Sequence, residues 1–270
     1  MTSKASTGTR VCFAHIASVA FASLAFAAIG SIGATTSEQS APQQPAAKSL
    51  FNGVDLTGWD GDPRFWRVEN GLLTGETTAK TPAEHNTFII YRGGEVKDFE
   101  LTFDYVIRSD WANSGLQYRS FEKPVAGADN AGRWIVGGYQ ADIDTPVTYT
   151  GILYGELDRA IMAQRGQKVE IEPGGKPKVV GSLGDPAELA KKINGKDGWN
   201  TYRVVARGNH LTHEINGVTM VDVVDNDAVV TEPLAKGART HGVLAFQLHA
   251  GQPMKIQFRN VSLRTLDGAK

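Results

Sequence analysis

From Ser49 onward, apolar and polar positions alternate with a period of two, the spacing of strands that bury one face. In the segment DFELTFDYVIR (98–108), Phe99, Leu101, Phe103, Tyr105 and Ile107 share one face; Glu100, Thr102, Asp104 and Arg108 share the other. The pairs Asn70-Gly71, Gly208-Asn209 and Asn216-Gly217 each separate two such runs, as two-residue hairpin turns that need positive φ do. Residues 199–224 therefore predict a three-stranded meander, and GVLAFQLHAG (242–251) with MKIQFRNVSLRTL (254–266) predicts a final strand pair. One short helix is predicted over Asp185–Lys192, with Pro186 at its first position and Lys191-Lys192 facing the C-terminal dipole. No internal repeat and no alternation of strands with helices is present. The pattern predicts an all-β fold, an antiparallel two-sheet jelly-roll sandwich with one short helix.

In a sandwich the inward row of each strand builds the core, so the outward row carries the functional information. In NSGLQYRS (113–120), Leu116 and Tyr118 point inward, and Gly115, Gln117 and Arg119 point out. In GGYQADID (137–144), Tyr139, Ala141 and Ile143 are inward; Gln140, Asp142 and Asp144 share the opposite face. Tyr154 and Glu156 fall together in TGILYGE (150–156), and Gln247 and His249 are outward in GVLAFQLHAG. A merely solvated face carries Lys, Glu and Thr, whereas this one carries amides, carboxylates, Arg, His and Tyr, spaced by Gly and Ala. If these strands are neighbours, they line a groove with the donors and acceptors that sugar hydroxyls require. The substrate-binding candidates are Gln117, Gln140, Asp144, Tyr154, Glu156 and Gln247. The alternative is a polar outer face that only meets water.

The chain has 270 residues, with 28 Lys and Arg against 29 Asp and Glu. A net charge of −1 gives no basic field for nucleic acid. Lys4 and Arg10 precede the apolar run Val11–Ile29, and the first acidic residue is Glu38. This is the layout of a secretory signal peptide over 1–34, followed by a Pro/Gln/Ser-rich linker over 35–48 and one domain over 49–267. An uncleaved membrane anchor is the alternative. Cleavage removes the single Cys, Cys12, and leaves 28 − 2 = 26 basic residues against 29 acidic ones. The mature protein is then thiol-free, without a membrane span, and periplasmic or extracellular. Nothing in the pattern specifies an oligomeric state.

Asp142, Asp144, Glu156 and His249 are the donor types that a divalent ion takes, but they carry no ligand spacing of a known loop. Asp-x-Asp on a strand is more commonly a salt-bridge or sugar-binding pair, so no metal and no other cofactor is expected. His210 and His213 lie on opposite faces of one strand and cannot chelate together. The glycine pairs at 93–94, 137–138 and 174–175 are not followed by a helix and cradle no phosphate.

Taken in order, SLFNGVDLTGW (49–59), NSGLQYRS, GGYQADID, TGILYGE, GWNTYRVVARGNHLTHEING (198–217), GVLAFQLHAG and QFRNVSLRTL (257–266) resemble the 3-keto-disaccharide hydrolase domain family. The resemblance covers residues 49–266. It implies a concanavalin-like jelly roll, an exported bacterial protein, and cleavage of glycosides already oxidised at the sugar C3. Many members read Gly-Tyr-Glu-x-Gln where this chain has Gly138-Tyr139-Gln140-Ala141-Asp142, which moves the carboxylate by two residues along the same face. A C3 ketone acidifies the C2 hydrogen and sets the glycosidic oxygen at C1 in the β position. Cleavage then needs one base and one group that holds the enolate oxygen, not the paired carboxylates of ordinary glycosidases. His249 and Asp142 are the base candidates and Arg119 is the expected enolate stabiliser; Glu156 and Arg159 are candidates for the rim. The structural alternative for Arg119 is an ion pair with Asp142 or Asp144. The alternative function is a noncatalytic, lectin-like carbohydrate-binding module.

Overall fold

The computed structural model describes residues 45–123 and 133–266, all within the unit Gln43–Lys270. The expected export segment and most of the expected linker lie outside the described residues. In chain order the strands are β1 (Lys48–Ser49), β2 (Trp59–Asp60), β3 (Trp66–Glu69), β4 (Leu72–Glu76), β5 (Thr87–Tyr91), β6 (Phe99–Ile107), β7 (Ala112–Glu122), β8 (Val136–Thr145), β9 (Leu153–Glu156), β10 (Ala160–Ala163), β11 (Gln167–Glu172), β12 (Lys176–Ser182), β13 (Asn200–Arg207), β14 (His210–Ile215), β15 (Val218–Asp225), β16 (Val243–Leu248) and β17 (Lys255–Thr265). The single helix among the described residues, α1 (Pro186–Ala190), follows β12. Asp185 caps it by accepting from the backbone N–H groups of Ala187 and Glu188. No helix among the described residues is long and apolar enough to cross a membrane.

The strands form two sheets. One runs β12-β11-β15-β14-β13-β6-β17-β4-β3, with β1 added beside β17; the other, of seven strands, runs β10-β9-β8-β7-β16-β5-β2. All pairings are antiparallel except that of β11 with β15. The meander β13-β14-β15 forms as the alternation predicts. Asn70, Gly71, Asn216 and Gly217 all take positive φ; in the Gly208-Asn209 turn only Gly208 does. The expected pairing of the last two strands is corrected: β16 pairs with β5 and β7, and β17 with β6, β4 and β1. Both strands bury an apolar row, but they bury it against each other across the core. Phe246 of β16 stacks on Phe258 of β17 at 4.0 Å between ring centroids, and Phe103 of β6 meets Phe246 edge-on at 5.1 Å. Phe99, Leu101, Phe103, Leu244, Phe246 and Leu248 are all fully buried between the sheets, the burial that supplies most of a domain's stability.

Arg119 departs from the outward row that strict alternation assigns it. The register of β7 shifts by one residue between Tyr118 and Phe121 against β8, and between Gln117 and Ser120 against β16. Arg119 sits in that bulge with φ +47°, and a bulge re-aims the side chain it carries. Gly242 faces it, where a Cβ would collide with the Ser120 carbonyl. The Arg119 guanidinium is 1% exposed. Nε donates to Lys97 O at 2.7 Å, Nη1 to Gly208 O at 2.7 Å, and Nη2 to Asp98 Oδ1 at 2.9 Å. All three acceptors flank strands of the other sheet, so Arg119 is a tie between sheets and pairs with neither Asp142 nor Asp144.

Two further buried polar links cross the same way. Tyr139 donates to Asp225 Oδ2 at 2.6 Å, and the same carboxylate receives Arg159 Nη2 at 2.8 Å. Arg159 also binds Asp158 and Asp227, which turns it away from any rim. His213 Nδ1 lies 3.1 Å from Ile152 O and so carries the proton, leaving Nε2 to accept from Tyr118 at 3.0 Å. Burial pulls the His213 pKa down to about 3, which keeps the ring neutral.

Truncating Arg119 strands a buried carboxylate and two carbonyls. Arg119→Met is expected to destabilise the fold by about 3–5 kcal/mol in chemical denaturation, the range for breaking a buried ion pair from one side. A loss within the ~1 kcal/mol of a surface pair would contradict the inter-sheet tie.

Candidate functional site

The outer face of the seven-stranded sheet divides into two parts. Phe88, Ile90, Val136 and Ala245, covered by Trp134, Ile135 and Val243, form a small second apolar cluster. The rest is an open cavity of about 310 Å³ lined by Asn86, Asn113, Gln140, Asp142, Tyr149, Ile152, Tyr154, Glu156, Ile161, Gln247 and His249. That volume lies near the lower end of the roughly 300–1,000 Å³ range of small-ligand sites. Tyr149 and Ile161 stand exposed at its mouth.

Strand register assembles its polar wall. Gln117 lies opposite Gln140 in the β7–β8 ladder, and Ala245 lies opposite Gln117 in the β16–β7 ladder. Gly115, next in the outward row, leaves the room that the Gln140 side chain fills; a Cβ there would approach Gln140 Cγ to 2.7 Å and Ala141 O to 2.9 Å. Ser120 Oγ donates to Gln117 Oε1 at 3.0 Å, Gln117 Nε2 donates to Gln140 Oε1, and Gln140 Nε2 donates to Asp142 Oδ1 at 2.6 Å. Gln247 closes the row, with its amide 3.3 Å from that of Gln140.

Of the sequence candidates, Asp142, His249, Gln140, Tyr154, Glu156 and Gln247 meet in this cavity. Gln117 is fully buried beneath it and acts through Gln140. Asp144 is corrected: although it lies on the outward face, its carboxylate accepts from the backbone N–H groups of Thr148, Tyr149 and Thr150 and from Thr150 Oγ1. It holds the turn that carries Tyr149. Arg119 is also corrected, since its bulge buries it between the sheets. No Arg or Lys among the described residues lines the cavity. No group of three or more His, Cys, Asp or Glu among the described residues is arranged to hold a metal ion.

Asn86, Asn113, Tyr149, Ile152 and Ile161 were not among the sequence candidates. Asn113 is in the outward row of β7 and could have been found by the same alternation. Asn86 sits in an unpatterned stretch before β5; its Nδ2 donates to Glu156 Oε1 at 3.2 Å while its Oδ1 accepts from Ala250 N at 3.0 Å. That pair joins β9 to the end of β16 across the cavity.

The carboxyl groups are tuned by burial. Asp142 is 6% exposed, and desolvation pushes its pKa up to about 8; the Gln140 bond pulls it down, and the like charges of Asp144 and Glu156 push it further up. Burial also raises Glu156, partly offset by the Asn86 bond, by His249 and by Gln247. Burial raises the Tyr154 hydroxyl as well, with Glu156 and Asp142 adding to it. His249 has Nδ1 2.6 Å from Ala250 O. A carbonyl only accepts, so Nδ1 carries the proton and Nε2 presents its lone pair. Trp111 packs edge-on against the ring at 6.3 Å. The arrangement combines a proton acceptor, two carboxyl groups with raised pKa, and an amide wall. Such a set can bind hydroxyl groups and move a proton.

Residues 46–264 match the family model of the 3-keto-alpha-glucoside-1,2-lyase-like domain. No curated protein matches the chain. Among solved structures, a candidate glycosyl hydrolase from Parabacteroides distasonis is 21% identical, with 82% of this chain and 94% of that chain covered and a TM-score of 0.50. A second from the same organism is 18% identical, with 82% and 100% covered and a TM-score of 0.51. A Bacillus subtilis protein of unknown function with a galectin-like fold is 11% identical, with 84% and 99% covered and a TM-score of 0.51. At these identities the structures share the jelly-roll fold.

Folded Asp142 keeps its proton up to about pH 8, whereas the unfolded chain releases it near 3.8. Between those values the native state binds a proton that the unfolded state lacks, so stability falls as pH rises through this window. Asp142→Asn removes that slope. The variant is expected to melt higher than the native protein at pH 8, with a smaller gain at pH 4. A gain that grows toward low pH would contradict the raised pKa.

Proposed function

We propose that this chain, which belongs to the 3-keto-alpha-glucoside-1,2-lyase-like domain family, is an exported enzyme that cleaves glycosides already oxidised at the sugar C3. Family membership makes it a carbohydrate-active protein. The 3-keto substrate, the cleavage and the export are the proposed steps. The observation that carries the reading is His249, whose Nδ1 is committed to Ala250 O and whose Nε2 is left as a base beside Glu156 in a sugar-sized cavity. Asn86, Asn113, Gln140 and Gln247 supply donors and acceptors for hydroxyls, and Tyr149, Tyr154, Ile152 and Ile161 supply the apolar side against which a sugar ring packs. With no Arg or Lys among the described residues lining the cavity, the site suits an uncharged sugar and offers no counter-ion to a uronate or a phosphorylated one.

In the proposed reaction His249 Nε2 takes the C2 proton, and the C–H electron pair becomes the C2=C3 bond of an enolate. The enolate re-forms its carbonyl, the pair shifts to C1=C2, and the C1–O bond breaks as the leaving oxygen takes the proton from the His249 imidazolium. Water then adds across C1=C2, its oxygen to C1 and a proton to C2, which completes a net hydrolysis. Glu156, whose charge interacts with His249, stabilises the imidazolium formed in the first step.

A 3-keto glucoside and its unoxidised parent are offered to the protein in deuterated water. Cleavage and C2 exchange are expected with the ketone only, and His249→Ala is expected to reduce both by about 10²–10⁴, the usual worth of a general base. Equal turnover of both glycosides would contradict the elimination. Saturable sugar binding with no turnover of either would place the protein among lectin-like modules.

A further inference from the structure

An elimination through an enolate needs a donor for the enolate oxygen, and Arg119 is not in the cavity to provide it. The amide chain identifies a replacement. Ser120 Oγ lies 3.0 Å from Gln117 Oε1 and 3.2 Å from Tyr118 O; the Gln117 amide nitrogen donates to Gln140 Oε1, and the Gln140 amide nitrogen donates to Asp142 Oδ1. Both amide links run toward Asp142, so Oδ1 is committed as an acceptor. Asp142 lines the cavity, and its Oδ2 carries no hydrogen bond from any described residue. A proton on this carboxyl therefore resides on Oδ2, the oxygen free to donate to a ligand in the cavity.

The groups around Asp142 favour that proton. On its own strand, Asp144 is a like charge, held by the 148–150 backbone. From β9 it faces Glu156 and the hydroxyl of Tyr154. His249 stands across the cavity at the end of β16, and the buried Tyr202 hydroxyl lies on the core side. Arg165 lies near Asp144 and is bound to the carbonyls of Thr150 and Pro186. No described cation forms an ion pair with Asp142.

We propose that Asp142 works as a neutral carboxylic acid whose Oδ2–H donates to the C3 oxygen as it becomes an enolate oxygen, with Gln140 as the residue that positions it. The group thus supplies an electrophile and not a base. A carboxyl kept neutral in a dry site is a strong donor toward developing negative charge, and a neutral donor leaves the ketone free to enter without displacing a counter-ion. The assignment rests on the proposed elimination.

Two measurements test it. In infrared spectra at neutral pH, the native protein is expected to show the carbonyl band of a protonated carboxyl that Asp142→Asn abolishes. This requires no substrate, and loss of no such band overturns the proposal whatever the enzyme acts on. In C2 exchange with a 3-keto glucoside, Asp142→Ala is expected to lose on the order of 10²–10³ in rate, the worth of one oxyanion donor. Asp142→Asn, which keeps a donor of the same shape, retains most of the rate. The native rate is expected to fall as pH rises through about 8, and Asp142→Asn to lose that fall. A rate that climbs through the same pH, with Asn as inactive as Ala, would make Asp142 the base and overturn the assignment while leaving the elimination intact. A native protein inert toward the ketone would instead remove the elimination reading itself. Gln140→Leu is expected to lower kcat and move the alkaline limb; an unshifted limb would remove its positioning role.

Discussion

The rest of the structure depends on the cross-strand register that sets Gln117 opposite Gln140. Successive residues of a strand point to opposite faces, so one register places Leu116, Tyr118, Tyr139, Ala141 and Phe246 in the core and Gln117, Gln140 and Gln247 outside it. A slip of one residue would exchange the two sets, burying amides between the sheets and exposing the aromatic core. Core and site are therefore two consequences of a single alignment. The bulge at Arg119 ends the outward row and ties the alignment to the opposite sheet.

Placement of positive charge follows from the same alignment. Arg119 and Arg159 bind carboxylates and carbonyls at the junction between the sheets, and Arg165 binds carbonyls beside the 148–150 turn. None reaches Asp142 or Glu156. Burial makes both carboxyl groups hold protons more tightly than usual. His249, fixed by Ala250 O, presents a lone pair to the same space. A buried carboxyl that keeps its proton and an imidazole with a free lone pair together give one site an acid and a base.

Much of this was legible in the sequence because period two reports directly on strand faces. It located the core rows of β6, β7, β8 and β16 and gathered Gln140, Asp142, Tyr154, Glu156, Gln247 and His249 before any coordinates. It failed where the period breaks or where partners are distant in the chain. Arg119 obeys the alternation on paper, but the extra residue of a bulge and its positive φ arise from pairing with two neighbours, which no single run encodes. Asp144 is on the correct face, yet its acceptors are consumed by a local turn. The last two strands look like a hairpin because both are amphipathic, whereas the residues between them carry the chain from one sheet to the other. Asn86 reaches Glu156 across 70 residues of sequence, and no local pattern marks it.

Whether the outward row of the seven-stranded sheet is a sugar site is decided by a crystal structure of the protein with an unreactive glucoside. The account predicts a single pyranose ring in the cavity, hydrogen-bonded to the amides of Gln140, Gln247 and Asn86, with its apolar face on Tyr154. It also predicts the C3 substituent within hydrogen-bond distance of Asp142 Oδ2. A ring bound on another surface, with this cavity holding only water at saturating sugar, would contradict it.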